Sequence, residues 1–82
     1  MNKHILLVMK WLADASSVSQ KELEKSKNEA NTAPDGAAHD RAHDAVFDAC
    51  DDVNAADVGY LVDEYFKETG EDKNEYLKEL NK

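Results

Sequence analysis

This 82-residue chain holds few of the residues that staple, kink or loosen a backbone: one cysteine, one proline and three glycines. With Cys50 alone, no internal disulfide can form, and a single thiol fits a reducing compartment. Gly36, Gly59 and Gly70 are scattered, so no glycine-rich phosphate loop exists. HExxH, paired CxxC and calcium-loop patterns are all missing. No segment approaches the roughly 20 apolar residues of a membrane span. The most apolar stretch, Ile5 to Met9, is cut short by Lys10. A secretion signal needs about 7–15 such residues, so this stretch reads as a helix packing into a core.

Basic residues are also scarce. Lys and Arg number 10 against 18 Asp and Glu, a formal net charge of −8. The pI near 4.7 speaks against direct binding of nucleic acid or an anionic membrane through bulk charge, and permits a basic protein partner. The imbalance is local. Pro34 to Thr69 carries −8, with Arg41 and Lys67 as its only basic residues, while the flanking stretches nearly balance. A solvated helical segment with that charge repels itself, and is tolerated for solubility or directed at a basic partner.

What remains is helical. Ala, Glu, Lys and Leu are abundant and period-2 alternation is lacking, so the expected fold is all-α: a single domain over 1–82, a small bundle of four to five helices. The first helix spans Lys3 to Ala13, with Ile5, Leu6, Val8, Met9 and Leu12 on one face. Ser19-Gln20-Lys21-Glu22 reads as a capping box opening a second helix to about Asn31, and Val18 can staple against Leu23. Its poor apolar content predicts a short, exposed, frayed helix. Pro34-Asp35-Gly36 is a turn. Ala38, Ala42, Ala45, Val46, Ala49, Cys50 and Val53 keep helical spacing. The register continues through Asp57, Leu61 and Tyr65, which favours one long or kinked central helix from Ala37 to Thr69. Asn54 offers the alternative of a new N-cap. Gly59 would mark a kink or a close helix contact. Gly70 suits a C-cap, and Asp72-Lys73-Asn74-Glu75 caps a last helix offering Tyr76, Leu77 and Leu80 to the core. A chain this short buries only about 60% of its unfolded surface. Homo-oligomerisation is therefore expected, most simply as a two-fold dimer.

The sharpest feature is an acidic ladder. Asp40, Asp44, Asp48, Asp51 and Asp52 follow at steps of four, four, three and one, one stripe on a helix. Four residues rise about 6 Å, close to the separation of neighbouring phosphates along a nucleic-acid strand. Such a stripe can imitate a backbone to a protein built to bind one. Aspartate is a mediocre helix former, so a merely solvated face would more ordinarily use glutamate. Phe47 stands between Asp44 and Asp48 and is the candidate anchor, with core packing as its alternative. His39 and His43, at i and i+4, are the only metal candidates, and no third ligand is placed beside them. Catalytic carboxylates need surroundings that push their pKa values apart, and a wet face supplies none. The chain is accordingly read as non-enzymatic and without a cofactor.

Two stretches carry a resemblance. Lys10-Trp11-Leu12-Ala13-Asp14 with Ser17-Val18-Ser19-Gln20-Lys21-Glu22-Leu23-Glu24 resembles the opening of small uncharacterised accessory proteins of large tailed bacteriophages. The run from Val62 to Leu77 (VDEYFKETGEDKNEYL) resembles their close. Between these ends such proteins carry a variable segment rich in alanine, aspartate and tyrosine. Ala37 to Asp57 has the first two and no tyrosine. The resemblance brings no activity with it. It implies a cytoplasmic protein of an infected bacterium, where small acidic helical proteins look like inhibitors of host nucleases or defence complexes. The reading is thus an acidic inhibitor docking on a basic host protein. The alternative is an oligomeric binder or sponge for a nucleotide signal, with pockets between subunits. Lys3, Lys10, Lys21, Lys25 and Lys27 would then meet phosphate.

Overall fold

In the computed structural model the described residues are 1–32, 37–51 and 54–82, with backbone alone for 37–39. They form five α-helices: α1 (Lys3–Ala13), α2 (Gln20–Thr32), α3 (Ala37–Cys50), α4 (Ala55–Thr69) and α5 (Lys73–Leu80), with one 3-10 turn at Ala15–Ser17. Among the described residues there is no strand, and no helix is long and apolar enough to cross a membrane. The expected turn at 34–36 falls outside the described residues.

Side-chain caps set most of the boundaries. Asn2 Oδ1 accepts from the amides of His4 and Ile5 at 2.9 and 3.2 Å and opens α1. Asp14, in extended geometry, ends it and accepts from the Ser16 amide. Ser19 Oγ accepts from the Glu22 amide at 3.1 Å, and Val18 and Leu23 are both buried, as a capped and stapled helix start requires. Gly70 closes α4 at φ +71°, where an L side chain would be strained. Asp72 Oδ1 accepts from the Asn74 amide and starts α5.

The central segment is not one rod. α3 stops at Cys50, and Asn54 Oδ1 takes the Ala56 amide at 2.8 Å to begin α4. α4 then packs along α3 more extensively than any other pair of helices in the molecule. The reason is burial. Folding back lays Val58, Val62 and Tyr65 with the seam of Ala42, Ala45, Val46 and Ala49 in the core. A continuous helix would leave one of these faces in water, at about 25 cal/mol per Å² of apolar surface. The alanines let the two backbones approach closely.

α1 lies across α3 and α4, contributing Ile5, Val8, Met9 and Trp11 to the core. α2 packs on α3 over 13 residues: most of them are exposed, as its composition suggests, while Leu23, Ser26 and Ala30 are buried. Its seam includes a hydroxyl, Ser26 Oγ, 2.7 Å from His4 Nδ1 in the interior. That polar contact is invisible to a count of apolar positions. α5 inserts Tyr76, which meets Phe66 edge-on at 4.9 Å between ring centres. Leu77, expected in the core, is 41% exposed. Gly59 marks neither a kink nor a close contact. α4 runs through it unbroken, and a Cβ there would meet nothing within 4 Å. A mid-helix glycine costs about 1 kcal/mol against alanine, and nothing in the chain's own packing requires it.

Candidate acidic docking face

α3 positions the ladder. Its buried seam points at α1, α2 and α4, so residues half a turn away point outward. Asp40 and Asp51 are exposed, and the Asp44 side chain is half exposed. Asp48 is partly covered. Asp52 lies outside the described residues, as does the Asp35 turn residue.

The start of α4 adds a carboxylate to the stripe. Asp57, in the first turn of α4, comes close enough to Asp48 to act on its charge. The Asp48 carboxyl is held above the ordinary aspartate range, first because its side chain is partly desolvated and then because Asp44, Asp51 and Asp57 surround it. Carboxylates from two helices thus converge on one face.

Counter-charge is sparse there. Arg41 pairs with Asp44 on its own helix and reaches across to Glu68 on α4. Its Nε lies 3.2 Å from Glu68 Oε1, whereas its Nη1 is 4.0 Å from Asp44. Among the described residues no lysine forms an ion pair with Asp40, Asp44, Asp48, Asp51 or Asp57. The lysine pairs there are Lys3–Glu29, Lys73–Asp63 and Lys82–Glu79.

Phe47 is half-buried on the α2 side of the stripe. His43 stacks on its ring at 4.1 Å, and Lys27 Nζ sits 4.8 Å from its centre. The ring therefore already has partners within the chain, and it packs against the core. His43 Nδ1 also lies 3.4 Å from Asp44 Oδ1. The side chain of His39 is outside the described residues. Among the described ones, no group of three His, Cys, Asp or Glu is arranged to hold a metal ion.

A second polar cluster escaped the sequence reading. Tyr76 Oη donates to Glu71 Oε1 at 2.6 Å, Tyr65 Oη donates to the other carboxylate oxygen, and the Asn2 amide donates to Tyr76 Oη at 2.7 Å. This ties the start of α1 to α4 and α5. Burial pushes the Tyr65 and Tyr76 hydroxyls up, and Glu71 beside them adds to it. Partial burial pushes Glu71 up as well, but the two hydroxyl donors and the terminal ammonium outweigh it and hold the carboxylate below its ordinary range. Glu71 reads from sequence only as a helix-dipole residue. Its tyrosine partners stand six and five residues away, at no helical or strand spacing, and the Asn2 amide that joins them comes from 74 positions away from Tyr76.

No protein-family description, curated protein or solved structure matches this chain.

Proposed function

We propose that this is a non-enzymatic acidic interaction protein that docks on a basic, nucleic-acid-binding surface of a protein partner by imitating a phosphate backbone. The observation that carries the reading is the convergence of Asp44, Asp48, Asp51 and Asp57, which adds to partial desolvation in raising the Asp48 carboxyl, on a face with no lysine counter-ion among the described residues. Holding like charges together costs the fold stability, and a basic partner recovers it on docking. Asp40, Asp44, Asp48, Asp51 and Asp52 supply the charge, and Phe47 borders them. Association of this kind is fast and weakens with salt. In line with the resemblance to phage accessory proteins, we place it in the cytoplasm of an infected bacterium, where its docking inhibits a host protein.

The test is capture from bacterial lysate at low and high salt, with wild type and the triple variant Asp44→Asn, Asp48→Asn, Asp51→Asn. We expect wild type to retain a nucleic-acid-binding protein at low salt and release it at high salt. The triple variant should retain none while keeping its helical circular dichroism. A folded triple variant that still retains the partner places docking on another surface.

A further inference from the structure

On another side of the molecule, α1, α4 and α5 enclose an apolar groove of about 380 Å³. Met9, Leu12, Val62, Leu77 and Leu80 line it together with Gly59, and among the described residues none of α3 takes part. Three observations bear on what fills it. Leu77 stands 41% exposed at its edge. Gly59 leaves open space where any other residue would carry a Cβ, although glycine weakens a helix centre and the chain's own packing does not ask for it. Asp63 and Lys73 lie 3.4 Å apart on its border, both side chains at least half exposed, so this patch of a chain with net charge −8 is locally neutral.

We infer that the groove is a two-fold interface with a second copy of this chain. Leu77 of each copy seats over Gly59 of the other, and the Asp63 and Lys73 side chains exchange partners across the axis. A two-fold contact needs a self-complementary patch, and this one carries an exposed aliphatic knob, an unfilled hollow, one anion and one cation. It also satisfies the electrostatic demand. Two strongly acidic chains can meet only where charge is balanced, and this contact leaves the α3 aspartates of both copies free of the interface. The inference is independent of the docking partner proposed for α3.

Sedimentation of the full chain over a wide concentration range tests it. Wild type should show a reversible monomer–dimer equilibrium. Leu77→Lys should weaken the dimer at least about tenfold, the scale of a central interface residue. Gly59→Ala should do two opposite things: raise the melting temperature measured at dilutions where both proteins are monomeric, and weaken dimerisation. Misfolding cannot imitate that combination. Asp63→Lys should weaken the dimer, and adding Lys73→Asp should restore it. A wild type that stays monomeric to millimolar concentration overturns the inference, as does a dimer indifferent to Leu77→Lys and Gly59→Ala. Loss of a different captured protein by those variants, with wild type monomeric, assigns the groove to that protein and equally overturns self-association.

Discussion

Asp48 and Glu71 are both partly covered carboxylates, and the molecule treats them in opposite ways. Around Asp48 stand three more carboxylates, and the group is held above its ordinary range. Around Glu71 stand two tyrosine hydroxyls and the terminal ammonium, and the group is held below it. Burial acts in the same direction on both, so the difference comes from neighbours. One junction is built to keep a carboxylate ionised at the service of the fold. The other assembles charge that the fold itself does not use. That contrast, more than the count of aspartates, is why the α3 face reads as a surface for something else.

The largest effect should come from the stabilising junction. Tyr76→Phe removes the donor to Glu71 and the acceptor of the Asn2 amide. Bonds to charged groups contribute about 1.5–3 kcal/mol, and the lower end applies because water reaches Glu71. Denaturant unfolding should show that loss, with no change in salt-dependent binding through α3. Next is Asn54→Ala, which takes away the cap that begins α4 beside the ladder. It should cost about 1 kcal/mol and loosen the placement of Asp57 against Asp48, read as a downward return of the Asp48 titration by carbon NMR. The smallest effect should have the opposite sign. Asp48→Asn relieves like-charge contacts worth about 0.2–0.5 kcal/mol per helical pair, and should stabilise the protein at neutral pH. The pH dependences of the two sites separate them further. The Asp48 carboxyl is raised in the fold, so its destabilisation is absent in acid and appears as pH rises through the folded value. Glu71 is lowered, so its contribution is present above its ordinary range and lost as pH falls through the folded value. On acidification the two contributions act in opposite directions on thermal unfolding of wild type, Asp48 as a gain and Glu71 as a loss, and Asp48→Asn should abolish the gain alone.

Features written in a few adjacent residues were legible from sequence. Ser19 with Glu22, Asp72 with Asn74 and Gly70 set helix ends where their spacing says. The outward stripe of Asp40, Asp44, Asp48 and Asp51 follows from helical periodicity and the alanine seam opposite. The break after Cys50 was signalled only by the alternative of Asn54 as an N-cap, because that same periodicity runs across it. A register continuing through Asp57 and Tyr65 describes a straight helix and a folded-back pair equally well. Only the gain from laying Val58, Val62 and Tyr65 against α3 decides between them. Glu68 joins Asp44 as a partner of Arg41 for a related reason: it becomes a neighbour only once α4 has turned back. The Tyr65–Glu71–Tyr76 cluster, with Asn2 brought 74 positions along the chain, needs the whole tertiary arrangement.

The contact of α1 with α3 and α4 also bears on the order of assembly. α2, α3 and α4 are consecutive and meet through short connections, so their association closes small loops at little entropic expense. α1 must skip over a neighbour to reach its seat, and it brings Ile5 and Val8, both fully buried, with it. Its contacts with α3 and α4 close longer loops than those between consecutive helices, at a greater chain-ordering cost. Trimming Ile5 should therefore speed unfolding more than it slows refolding, which makes the first helix the latch of this small bundle.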